Sequence, residues 1–197
     1  MKKFKKILIV THQYLPHVSP RTTRWKLLVE ELISKGHQVT ILTGMYPDFD
    51  TKNVDVIYFG NKNNKNIVSS LREKSKQVSS NNRIKKFFYD CLKKLYRLFI
   101  NYLAWPDYSI FWLYQTYRNR KNITTDYDVI ISVSLPFSSH IAAYIVNKSR
   151  KKQWIMDIGD PFSLKIDAPE NNKFLYSRLN KRYENKFYSL ANNVLFT

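Results

Sequence analysis

Short apolar runs alternate with apolar stripes at helical spacing along this chain. Residues 6 to 11 (KILIVT) are a continuous apolar run, suited to a parallel strand buried on both faces. A loop with Pro16 follows, then Ser19 as a helix N-cap and Pro20 at the first helical position. Trp25, Leu28, Val29, Leu32 and Ile33 fall on one helical face, and Gly36 closes the helix. Residues 38 to 43 (QVTILT) predict a second strand and 54 to 59 (VDVIYF) a third. Residues 61 to 82 are rich in Asn and Ser and read as a connection with a helical turn around Leu71. From Arg83 to Tyr102, apolar residues recur at Ile84, Phe87, Phe88, Cys91, Leu92, Leu95, Leu98, Phe99 and Tyr102, an amphipathic helix that Trp105-Pro106-Asp107 interrupts. A further helix is predicted from Ser109 to Arg120, a fourth strand over 128 to 132 and a helix over 138 to 148 with Ile141, Ala142, Ile145 and Val146 inward. A fifth strand over 153 to 156, a loop over 157 to 171, a helix over 173 to 190 and a sixth strand over 193 to 197 complete the chain.

Strands alternating with helices predict an α/β fold, a doubly wound Rossmann-like parallel sheet forming one domain over 1–197. A basic helical insertion occupies 61–121. In such sheets ligands bind beyond the carboxyl ends of the strands, here the loops after Thr11, Thr43, Ser132 and Met156. A chain of 197 residues with 44% hydrophobic and 15% aromatic residues can bury a core without staples and is not disordered. The lone Cys91 excludes a disulfide framework and a cysteine zinc site, and fits a reducing compartment. Four glycines leave no Walker loop and no GxGxxG cradle. Lysines precede Ile7, but the apolar run behind them is too short for a signal peptide, and no stretch approaches the roughly 20 apolar residues of a bilayer span. The expected location is cytoplasmic, peripheral on the inner face of the cell membrane.

Charge sharpens the expectation about partners. Lys and Arg number 33 against 15 Asp and Glu, a net +18. From Asn61 to Lys121 there are 14 basic against 3 acidic residues. Lys85, Lys86, Phe87, Phe88, Lys93, Lys94 and Arg97 form a basic, aromatic, amphipathic face suited to an anionic membrane surface. The same apolar stripe could instead pack on the sheet. Basic patches with aromatics also bind single strands, but with no RNP-like strand and no recognition-helix pattern, nucleic acid is not an expected partner.

Candidate chemistry collects in the predicted loops. Ser19, Arg21, Thr22 and Arg24 sit at a helix N-terminus, where free N–H groups, hydroxyls and guanidinium groups bind anions. An ordinary capped helix with exposed arginines is the plainer reading. Asp48-Phe49-Asp50 spells a DxD, but Tyr46-Pro47-Asp48 reads better as a turn, and no bound metal is predicted. Asp157 and Asp160 follow the fifth strand, where two carboxylates suit general base work or form an Asx turn. His140, one turn into its helix, and His12, after the first strand, could face the cleft; His17 and His37 read as loop and turn residues.

Several motifs taken in order resemble family 4 glycosyltransferases. They are ILIVT with Pro16 and Ser19-Pro20-Arg21-Thr22, then Leu32-x3-Gly36-His37-Gln38-Val39-Thr40, then Trp105-Pro106-Asp107 with Trp112. Ser134-x-Pro136-x-Ser138-Ser139-His140 and Asp157-x-x-Asp160-Pro161-Phe162 follow. Val18-Ser19 stands where members often carry Gly-Gly, and Gly159 where many carry a histidine. The resemblance implies the N-terminal half of a GT-B fold, the acceptor-binding lobe of a nucleotide-sugar-dependent transferase in cell-surface polysaccharide synthesis. It implies catalytic roles for Asp160 and Asp157 and acceptor contacts from His140, Ser134, Phe137, Ser138 and Arg24. Ser19, Arg21 and Thr22 would lie on the donor phosphate side. It further implies no bound cofactor, a nucleotide-diphosphate sugar as donor, a lipid-linked or saccharide acceptor, and a C-terminal donor-binding lobe supplied in cis or in trans. Without that lobe the chain would be inactive, a non-catalytic membrane-bound subunit recruiting a separate donor lobe, or an inactive truncated transferase.

Overall fold

The structure is a computed structural model that describes residues 4–46, 54–60, 73–74, 83–123, 126–165 and 169–197. Six strands, β1 (Lys6–Val10), β2 (Gln38–Thr43), β3 (Asp55–Tyr58), β4 (Val129–Val133), β5 (Gln153–Ile158) and β6 (Asn193–Phe196), form one sheet in the order β3-β2-β1-β4-β5-β6. Every pairing is parallel, with Ile7 opposite Val39 and Val129, and Ile131 opposite Ile155. The α/β class and doubly wound Rossmann-like order are those the strand-helix alternation predicts. The order reverses between β1 and β4, which opens a crevice at their carboxyl ends.

Side-chain alternation along each strand builds two cores. Ile7 and Ile9 of β1, Val39 and Ile41 of β2 and Val129, Ile131 and Val133 of β4 face α1 (Pro20–Ser34), which contributes Trp25 and Val29. Leu8, Val10, Leu42, Ile130, Trp154 and Met156 face the other way. That second layer consists of α3 (Ile110–Asn119), α4 (Ser138–Asn147) and α5 (Lys173–Leu190). Phe187 of α5 is fully buried among Phe137, Tyr144, Trp154 and Tyr183.

Local signals set the helix ends. Ser19 Oγ accepts from Thr22 N at 3.1 Å, with Pro20 at the first helical position. After the last turn, Gly36 N donates to Ile33 O and His37 N to Leu32 O, a Schellman ending whose φ of +85° at Gly36 requires glycine. Leu28, placed inward by its spacing, is 42% exposed, while Trp25 and Val29, with Leu32 and Ile33 beside them, pack between α1 and the sheet. The helix predicted over 83 to 102 is α2 (Arg83–Leu98), continued by a π-helical turn, Phe99–Leu103. Asp157 and Ile158 extend β5 two residues beyond the predicted strand, since the ladder to β4 and β6 continues through them. Residues 61–72, 75–82 and the Asp48-Phe49-Asp50 motif lie outside the described residues.

Candidate functional site

The carboxyl ends of β1, β4 and β5 meet three connections: the β1–α1 loop, the β4–α4 loop and the chain after β5. A fourth segment, 105–109, crosses above them. It is held by α5 and the residues leading into it: Asn180 Oδ1 accepts from Trp105 Nε1 at 3.0 Å, and Asn171 Nδ2 donates to Pro106 O at 2.6 Å. Asn171 and Asn180 also bond to each other. This anchoring delivers Asp107, fully buried, to the N-terminus of α4.

Asp107 is the main polar junction of the region. Its Oδ1 accepts from Ser109 N at 2.9 Å, Ser109 Oγ at 2.7 Å and Ser138 Oγ at 2.8 Å, and its Oδ2 accepts from Ser138 N at 2.7 Å. One carboxylate thereby satisfies amides at the starts of both α3 and α4. Burial pushes its pKa up, and the four donors pull the other way.

Glu170 occupies the neighbouring place. Its Oε2 accepts from Phe137 N at 2.9 Å, and Oε1 makes no hydrogen bond among the described residues. Burial, with Asp107 nearby, raises its pKa to about 8. A carboxyl group that holds its proton near neutrality can donate one to a ligand oxygen. Ser134, Phe137, His140, Phe162, Glu170 and Glu184 line a small cavity beneath this point. Glu184 is committed to structure, accepting from Phe162 N at 2.6 Å, Ser163 N at 3.1 Å and Tyr188 Oη at 2.8 Å.

Asp157 and Asp160, paired in the sequence, are separated by the strand. Alternation along β5 turns Asp157 to the α1 face, 2% exposed, where it accepts from Arg24 Nη2, from Trp25 Nε1 at 2.6 Å and from Thr197 Oγ1 at 3.2 Å. Its carboxylate ties α1 to the sheet, and Arg24 is its partner rather than a free anion contact. Asp160 lies past the strand end, exposed, 3.2 Å from Lys165 Nζ.

The other anticipated ligand contacts are mostly used internally. Ser134 Oγ accepts from Gly159 N at 3.0 Å, Ser138 is bound to Asp107, and Phe137 stacks on Phe162 with centroids 4.0 Å apart. His140, 1% exposed, shares a 2.7 Å hydrogen bond between Nδ1 and Ser132 Oγ, which also accepts from Trp154 Nε1 at 2.9 Å. Its ring is therefore packed beneath β4 and β5 and also borders the small cavity beside Glu170. Ser19 caps α1, and its Oγ lies 2.8 Å from the hydroxyl of buried Thr22. His12 packs edge-on to Tyr108 and Trp112, with Nδ1 buried and unpartnered among the described residues.

Arg21 differs from all of these. Its guanidinium, half-buried at the N-terminus of α1, makes no hydrogen bond or ion pair among the described residues. It lies over Gly159, where a Cβ would collide with Nη2. Burial pushes its pKa down, and Asp157, Asp160 and Glu170 push it back up, so the group stays cationic. A free guanidinium beside a helix N-terminus is a ready anion contact.

The two buried imidazoles predict an acid limb in stability. Burial, with His17 nearby, lowers His12 to about 4, and burial, with Arg21 nearby, lowers His140 to about 3, from 6.5. The folded state then binds fewer protons than the unfolded one, so stability is full above 6.5 and falls as pH drops below it. The urea midpoint is expected to decrease from pH 7 to pH 5, with a shallower decrease in His140→Gln. An unchanged slope in that variant would place the proton uptake elsewhere.

No family model matches this sequence, and no curated protein matches it. Among solved structures, the chain is similar to an ADP-L-glycero-D-manno-heptose-6-epimerase from Helicobacter pylori. The identity is 12% and the TM-score 0.39 over 98% of this chain and 53% of the epimerase. The chain thus spans about half the length of that neighbour. The resemblance to family 4 glycosyltransferases is corrected on this finding: no family model, that of the glycosyltransferases included, matches the sequence. The structure gives those motifs another origin. Gly36-His37 is a helix ending, Trp105-Pro106-Asp107 is a strap anchored by two asparagines, and Ser138 and Asp107 form a double helix cap. Each is a device of fold construction.

Proposed function

We propose that this chain binds a small phosphate-bearing, hydroxyl-rich ligand of the nucleotide-sugar kind in the crevice between β1 and β4. The observation that carries the reading is Arg21, a half-buried guanidinium unpaired among the described residues at the switch point of the sheet. A planar fork of donors suits phosphate oxygens, and the N-terminus of α1 adds a favourable dipole. Asp160 accepts from ligand hydroxyls. Glu170, protonated in part at neutral pH, gives or takes a proton at a ligand oxygen through Oε1.

Calorimetric titration tests this reading with a nucleoside-diphosphate sugar, the same sugar without phosphate, and inorganic phosphate. The nucleotide sugar is expected to bind and the plain sugar is not. Arg21→Gln should weaken binding roughly 10- to 100-fold, the range for a lost charge-assisted contact. Arg21→Lys keeps the charge but not the fork and should fall between. Equal affinity in wild type and Arg21→Gln would refute the assignment.

A further inference from the structure

α2 and the π-helical turn behind it stand apart from both cores. Among the described side chains of α2, none is buried. Its apolar stripe faces solvent, with Ile84 83%, Phe87 71%, Phe88 58%, Leu95 62% and Leu98 45% exposed. The stripe continues through the turn at Tyr102 and Leu103. The described ring contacts tying this segment to the domain are Tyr96 stacked on Phe111 at 6.2 Å and Phe99 against Phe111 at 6.4 Å. Tyr176 Oη also donates to Leu103 O at 2.7 Å.

The opposite face and its borders are basic. At 100° per residue, Lys85 and Lys94 flank the apolar stripe on its two sides, and Lys86, Lys93 and Arg97 lie behind it. Asp90 is the one acidic residue of the helix, bonded to Lys93 at 3.0 Å. An exposed apolar face bordered by lysines needs an occupant that is apolar inside and anionic at its surface. A second copy of this chain, itself at +18, brings the wrong charge. No helix among the described residues is long and apolar enough to cross a membrane, so the segment can only lie flat.

We infer that α2 and the following turn dock the protein on an anionic lipid bilayer, with Phe87, Phe88, Leu95 and Leu98 in the acyl boundary and Lys85 and Lys94 at the headgroups. Sixteen residues give a contact about 24 Å long. This surface is separate from the crevice of Arg21, so it stands or falls independently of the ligand.

Flotation of the full chain with vesicles of neutral phosphatidylcholine, or with about 30% phosphatidylglycerol added, tests the inference. Binding to the anionic vesicles is expected, at least about 10-fold stronger than to neutral ones, and weakened by about 0.5 M salt. Phe87→Ser/Phe88→Ser and Lys85→Glu/Lys86→Glu/Lys94→Glu alter exposed positions and should each reduce binding at least about 10-fold with unchanged thermal midpoint. Equal binding to both vesicle types, or no binding, overturns the inference. So does an effect of the phenylalanine variant confined to self-association in sedimentation velocity, which would assign the face to a second copy.

Discussion

Asp107→Asn lowers the unfolding free energy by about 3 kcal/mol, the scale for breaking a buried charged hydrogen-bond cluster. The side chain keeps its shape, so the loss isolates its chemistry. Asp107 receives four donors, three on Oδ1 and one on Oδ2. An amide has one acceptor oxygen and one NH2 group. In its better orientation the NH2 group faces Ser138 N, donor against donor; in the other it faces three donors. Ser138 is fully buried, so water cannot take over the abandoned amide. Ser109→Ala removes one hydroxyl donor and leaves the carboxylate three, for a loss of about 1 kcal/mol. Urea denaturation of the two variants checks the pair. If Asp107→Asn costs no more than Ser109→Ala, the junction does not hold the two helix starts.

Glu170→Gln produces the opposite sign at alkaline pH. The carboxyl of Glu170 has a folded-state pKa of about 8 against its ordinary value of 4.5. The folded state therefore binds more protons than the unfolded state between those values. Its contribution is complete below the unfolded pKa and is lost as pH rises through the folded one. Glutamine is neutral throughout and can still accept from Phe137 N. The variant should match the wild type near pH 5 and exceed it by about 4 kcal/mol near pH 9, an order-of-magnitude figure from the linkage relation. Denaturation midpoints across that range measure it. Parallel pH curves for the two proteins would mean that Glu170 is ionised at neutrality, and its role as a proton donor would go with them. With the histidines acting in the acid direction, these three groups together place the stability maximum at about pH 6.5.

The difference between Glu170 and the residues anticipated from sequence is instructive. The resemblance makes Ser134, Ser138 and His140 acceptor contacts and Asp157 a catalytic group. In the fold, each polar atom found a nearer partner: Gly159 N, Asp107, Ser132 and the Arg24–Trp25 pair. Buried polar groups must be satisfied, and a crevice edge crowded with amides satisfies them internally. No spacing announces Glu170. It belongs to a stretch without periodicity, and its raised pKa comes from burial beside Asp107, 63 positions earlier in the chain.

Periodicity and end signals in the sequence were enough to establish the α/β class, the six strands, the loops that border the crevice and the amphipathic helix, whose exposure only the assembled layers decided. These depend on neighbours a few residues apart, where backbone geometry makes the side-chain period visible. Gly36, Ser19 and Pro106 acted within one turn of themselves and were readable for the same reason. The division of Asp157 from Asp160, the burial of His140, the four-donor junction at Asp107 and the lack of a partner for Arg21 among the described residues are long-range facts. They follow from which partners the parallel sheet and the 105–109 strap bring within hydrogen-bonding distance. Burial then decides which charges are neutralised, which are paired and which remain open to a ligand, and burial is a property of the assembled layers.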